Sequence, residues 1–169
     1  MVGYFTDLDG VSGSFFYGAP SESTAFLTLR TDVFTLKPLP INGNIPVSVP
    51  GPVTLHLYFN PNPSNSWNDP DTFSSGKEIA RFNRAANLFF SVGITSFDIF
   101  SLDLVFSQDL TINGQEVNLG KIVPYGVTSN NTGSTMSVGG PGNFTLAFPF
   151  VATGIAIGND EASGREKRR

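Results

Sequence analysis

QDLTINGQEVNL, residues 108–119, is the stretch whose reading decides the fold. Asn113 and Gly114 suit the positive φ angles that a two-residue type I′ turn demands, since glycine has no Cβ and asparagine tolerates the left-handed region. Closing the chain there sets Leu110 opposite Val117, with Ile112 and Leu119 on the same face. Asp109, Thr111, Glu116 and Asn118 then point the other way. Pattern and turn chemistry agree on an antiparallel hairpin.

The same period of two recurs on either side. Val53, Leu55, Leu57 and Phe59 share one face against Thr54, His56 and Tyr58. Ala25, Leu27 and Leu29 alternate with Phe26, Thr28 and Arg30, and Phe144, Leu146, Phe148 and Phe150 with Thr145, Ala147 and Pro149. Pro149 has no N–H to give a ladder, so that strand is expected to end there or lie at an edge. Phe97 and Ile99 are in one phase and Phe100, Leu102, Leu104 and Phe106 in the other. The slip between Ile99 and Phe100 predicts a β-bulge or a strand buried on both faces.

One segment breaks the pattern. Ser75-Gly76-Lys77-Glu78 has capping-box spacing, and Ile79, Phe82, Ala86, Phe89 and Phe90 follow at helical intervals up to Gly93. This predicts one short helix near residues 76–91, with a strand ending near Arg84 as the alternative.

Composition fits a mainly β fold. The 169 residues include sixteen Phe, eighteen Gly and twelve Pro, and only 14% are charged. Long connections separate the strands: 36–52 is proline-rich, 60–76 is polar, and 126–142 is rich in Gly, Ser, Thr and Asn. No internal period marks a solenoid or propeller. The expectation is one domain over 1–160, an antiparallel β-sandwich (jelly-roll-like) or a closed barrel, then a basic, disordered tail over 161–169.

Chemistry is narrowed by what is missing from the sequence. Zero cysteines exclude disulfides, a thiolate nucleophile, iron–sulfur clusters and cysteine-bound zinc. Gly139, Gly140 and Gly142 fit neither a P-loop nor a dinucleotide fingerprint. The formal net charge is −4, and Arg165, Lys167, Arg168 and Arg169 all sit in the tail. Residues 1–160 thus hold six basic against twelve acidic groups, a balance that disfavours nucleic acid. No apolar run is long enough to span a membrane, and the N-terminus lacks the features of a signal peptide.

Three sets of residues remain as candidates. His56, the only histidine, lies mid-strand without a nucleophile elbow; Glu22, Glu78 and Glu116 are the glutamates from which a glycosidase pair could be drawn. Asp7 with Asp9, and Asp69 with Asp71, place carboxylates two apart in turns and are the calcium candidates, though neither completes an EF-hand loop. The 60–76 loop holds the only tryptophan among short polar groups. Asn65, Trp67, Asn68, Asp69 and Asp71 could hold a sugar ring by its apolar face and its hydroxyls, or Trp67 could fold back as a plug. Sequons at Asn130 and Asn143 complete the inventory.

The overall texture, with Val11-Ser12-Gly13-Ser14-Phe15 opening a run of Phe- and Thr-rich strands, resembles secreted β-sandwich modules of bacterial surface proteins and carries over no functional residue. These readings converge on a non-catalytic module of an extracellular or cell surface, or of a particle, serving adhesion or assembly through self-association or a surface partner. A carbohydrate-binding module using the Trp67 loop is the alternative, and a glycoside-active enzyme the third.

Overall fold

The computed structural model describes residues 1–8, 10–34, 37–38, 47–48, 52–92, 95–134, 137–138, 145–146 and 150–155, with side chains for 1–8, 10–34, 52–84, 99 and 101–129. In chain order the strands are β1 (Val2–Tyr4), β2 (Leu27–Thr31), β3 (Lys37–Pro38), β4 (Val47–Ser48), β5 (Thr54–Phe59) and β6 (Lys77–Val92). They continue with β7 (Thr95–Ser107), β8 (Leu110–Ile112), β9 (Gln115–Val117), β10 (Val127–Ser134), β11 (Ser137–Val138), β12 (Thr145–Leu146) and β13 (Phe150–Ile155). One four-residue helix, α1 (Leu119–Ile122), lies between β9 and β10.

The protein is mainly antiparallel β. The principal sheet runs β1-β2-β5-β6-β7-β10-β13, with β4 pairing both β3 and β6, and six strands curl as a half-barrel. Inward residues of β2, β5 and β6 form the core: Leu27, Leu55, Leu57, Ile79, Ala80 and Phe82 are all buried. Among the described residues the layer packed against them is not a second large sheet. It consists of Ile112 and Val117 from the β8–β9 hairpin, Leu119 and Val123 from around α1, and Phe15 and Phe16.

The hairpin forms in the expected register, Leu110 opposite Val117, Thr111 opposite Glu116 and Ile112 opposite Gln115. Asn113 and Gly114 take φ of 51° and 78°, as a type I′ turn requires. Leu119 is buried but starts α1 rather than extending β9, because the Asn118 side chain accepts from the Gly120 N–H and caps a helical turn.

The helix expected near 76–91 does not form: Lys77–Val92 is one continuous strand, longer than the alternative ending near Arg84. The helical spacing has a different origin. Tyr58 pairs with Glu78 and Leu57 with Ala80, so Ile79 is an extra residue in β6. This bulge turns Ile79 into the core beside Ala80, and two residues later Phe82 faces inward again. Ile79 and Phe82 are therefore buried three apart, as on a helix. The carbonyls released at the bulge are satisfied by Gln108, whose side-chain amide donates to Glu78 O and whose backbone N–H donates to Ile79 O.

The slip expected between Ile99 and Phe100 also resolves differently. Pairing is continuous there, Leu88 with Ile99 and Asn87 with Phe100. The irregularities fall at Ala85 in β6, skipped between Arg84 and Ala86, and at Val105 in β7, skipped between Leu104 and Phe106. Phe144–Phe150 falls partly outside the described residues; Thr145–Leu146 pairs with β11, and β13 begins at Phe150. The basic tail and most of 36–52 also lie outside them.

The outward face of β2 is covered as well. Thr28 is buried, and its hydroxyl donates to the Phe73 carbonyl at 2.7 Å. Phe73 belongs to a 3₁₀ turn, Pro70–Ser74, that lies against β1, β2 and β5. Full burial of such a phenyl ring contributes about 2–3 kcal/mol.

Gly126 links α1 to β10 at φ +86°, and a Cβ there would run into the Leu102 carbonyl. Gly114 has similar φ but open space around it. Gly126→Ala is expected to lower the unfolding free energy by more than about 2 kcal/mol, and Gly114→Ala by about 1 kcal/mol. Urea titration of the two variants beside the parent checks the ranking.

Candidate functional site

Strand register brings together side chains that are distant in sequence. Arg30, His56, Arg81 and Phe106 stand opposite one another on β2, β5, β6 and β7, on the outward face. Thr28, Tyr58 and Glu78 form the next row along, beside the bulge.

Glu78 is the hub. Its Oε1 accepts from Arg81 Nε at 2.9 Å and its Oε2 from Arg81 Nη2 at 2.7 Å, a two-pronged pair that matches a planar guanidinium to a carboxylate. His56 Nδ1 lies 2.6 Å from the same Oε1, and His56 Nε2 lies 3.4 Å from Asp32 Oδ1. The imidazole stacks near Tyr58, ring centres 6.2 Å apart, and Arg81 lies over the Phe106 ring at 5.6 Å. Arg30, at the end of the row, is held by Asp71 at 2.6 Å and Ser74 Oγ at 3.2 Å.

Arg81's hydrogen bonds hold the Glu78 carboxyl below the usual carboxylate range against an opposing effect of burial, and the hydrogen bond from His56 adds to them. The same pair raises the Arg81 guanidinium above its ordinary value. Burial pushes the Tyr58 phenol up, and the negative charge of Glu78 adds to that. His56, Glu78 and Arg81 thus each face an oppositely charged or hydrogen-bonding neighbour.

In the sequence His56 and Glu78 are 22 residues apart, and the capping-box spacing places Glu78 at a helix start. No local signal joins them; only the β5–β6 register with its bulge does. Glu116 stands exposed on the β8–β9 hairpin, whose Ile112 and Val117 pack under the inward face, so the sheet separates it from Glu78. The two do not flank one bond in the manner of paired glycosidase carboxylates. Glu22 sits in a 3₁₀ turn, Glu22–Thr24, on another loop.

The Trp67 loop divides into structural and exposed parts. Asn65 is buried at 2% exposure, and its amide donates to the carbonyls of Glu22 at 2.9 Å and Ala25 at 3.1 Å. Asp71 is engaged by Arg30. Trp67 is 51% exposed, its ring against Phe73 at 4.8 Å and Tyr4 at 6.0 Å. It is neither a buried plug nor a free side chain. Asn68 and Asp69 are exposed beside it, and the backbone of Asp69 bridges that of Ser66.

Of the calcium candidates, Asp7 is exposed and accepts from the Thr6 hydroxyl at 3.1 Å, while Asp9 lies outside the described residues. Among the described residues no group of three or more His, Asp or Glu side chains is gathered to hold a metal ion. Among them, too, no helix is long and apolar enough to cross a membrane. Asn130 lies in β10 and Asn143 outside the described residues.

Comparison with known protein families, curated proteins and solved structures found no match for this chain.

Glu78 contributes stability that is present above its unfolded-state value near pH 4.3 and is lost as pH falls through its lower folded-state value. Glu78→Gln is expected to lower the unfolding free energy at neutral pH by about 1 kcal/mol and to flatten the decline in stability below about pH 4.3. Urea midpoints measured across the acid range check this. Asn65→Ala removes the amide donor from the Ala25 carbonyl and one of two donors from the Glu22 carbonyl, which keeps the Ala25 N–H, and is expected to cost about 1–3 kcal/mol, read from the thermal midpoint.

Proposed function

We propose that this chain is a non-catalytic β module for adhesion or assembly on an extracellular or particle surface. The observation that carries the reading is the mutual engagement of its reactive groups. The only histidine faces carboxylates at both ring nitrogens, and both oxygens of Glu78 are held by Arg81. A general base needs a free atom within reach of its substrate, and a glycosidase needs two carboxylates facing across one bond. What the outward face offers is a firm, polar surface of fixed charge pairs. Such a surface suits a module that docks on a surface partner or on copies of itself. A β-sandwich or closed barrel remains the architecture within this proposal.

Polysaccharide recognition at the Trp67 loop is the second reading, favoured by the half-exposed indole. Two measurements on the purified chain test the first. Sedimentation velocity over a concentration series, together with retention on insoluble surfaces, is expected to show self-association or retention. A chromogenic glycoside panel is expected to show no turnover. Turnover that disappears in Glu78→Gln or Glu116→Gln would contradict the proposal, as would a monomer at every concentration that no surface retains.

A further inference from the structure

We infer that the Trp67 turn is a binding platform for a neutral polysaccharide, an inference that rests on the non-catalytic reading above and gives it a ligand class. The first support is how the indole is held. One part of the ring rests against Phe73, which is fully buried and cannot yield, and against Tyr4, while half of the residue's surface faces solvent. A large apolar surface left open on a firm backing is what a sugar ring stacks on.

The second support is rigidity. Asp69 N–H donates to Ser66 O at 3.0 Å, Ser66 N–H to Thr72 Oγ1 at 2.9 Å, and Asn68 N–H to Ser66 Oγ at 3.2 Å. The Thr72 hydroxyl returns to Asp69 O at 2.6 Å, and Asn65 ties the loop to the carbonyls of Glu22 and Ala25. A platform already fixed in place loses little freedom on binding.

The third support is the chemistry of the rim. Asn65 and Asp71 are used internally, but the exposed Asn68 and Asp69 side chains bond no protein group among the described residues. Sugar hydroxyls donate to a carboxylate and both donate to and accept from an amide, so one residue of each kind beside an indole matches a polyol. Charge disfavours a polyanionic ligand. The rim carries Asp69, residues 1–160 carry twice as many acidic as basic groups, and the cation beside the turn, Arg30, is held by Asp71. Tyr17, 76% exposed, belongs to the same cluster of loops: its N–H donates to Thr24 O, and the Glu22–Ala25 segment is the one that Asn65 grips. Two exposed aromatic residues on one loop cluster favour a chain of sugars over a single unit.

Trp67, the only tryptophan, reports on its own site. The full chain is titrated with a panel of soluble neutral β-glucans, xylans and mannans, with a polyanionic polysaccharide and with a proline-rich peptide. The expected result is a saturable blue shift or quench with at least one neutral polysaccharide. By affinity electrophoresis, Trp67→Ala is expected to weaken binding at least about tenfold. Because Trp67→Ala also removes packing from Phe73, Asn68→Ala and Asp69→Ala serve as variants without lost internal side-chain bonds. Each is expected to weaken binding several-fold with an unchanged thermal midpoint. No saturable response to any neutral polysaccharide, a response only to the polyanion or the peptide, or full binding by both rim variants would overturn the inference. Failure here with self-association intact would remove this site and leave the module reading standing; glycoside turnover would remove the reading itself.

Discussion

The fold and its outward surface both depend on one extra residue, Ile79, in the pairing of β5 with β6. In an unbroken antiparallel ladder the alternation of faces is fixed, and one strand cannot bury adjacent side chains on the same side. The bulge permits it: Ile79 and Ala80 both enter the core, and Glu78 is left outward, opposite Tyr58. Gln108 closes the irregularity from β7's end by supplying donors to the two carbonyls that the bulge exposes. A buried carbonyl without a partner would cost about 1–3 kcal/mol, so the glutamine is part of the bulge and not an accessory to it.

From that one irregularity the outward network follows. With Glu78 in its place, Arg81 and His56 reach it from the same and the neighbouring strand, and Asp32 meets His56 from the far side. The network ties β5 and β6 to Asp32, just past the end of β2, on the face opposite the core. The 3₁₀ turn carrying Phe73 covers the adjoining part of that face and, through Arg30 and Asp71, is joined to the same row of side chains. The Trp67 turn is thereby anchored on the sheet, and half of its indole is left in water.

How much of this was legible in the sequence depended on the range of the interaction. The Asn113-Gly114 hairpin and the alternation in Val53–Phe59 are local, and the structure keeps both. The helix expected near 76–91 failed because periodicity alone cannot distinguish a helical face from a strand whose phase is shifted by a bulge. The burial of Thr28 could not be read from alternation, since it is covered by a turn 45 residues away. For the same reason Asn65 looked like a ligand group when grouped with its loop, whereas its amide serves backbone carbonyls 40 or more residues distant. Trp67 was legible as an aromatic residue in a polar loop, but its half-exposed state depends on Tyr4 and Phe73, which the sequence does not place beside it.

The most direct test of this account is the pairing around Ile79, read by nuclear Overhauser contacts in the isotope-labelled chain. The account predicts cross-strand backbone contacts linking Leu57 with Ala80 and Tyr58 with Glu78, with no partner for Ile79 on β5. Contacts between residues three apart along 79–90, or an unbroken ladder pairing Tyr58 with Ile79, would contradict it. Either would dissolve the outward network, because Glu78 would no longer stand beside His56 and Arg81.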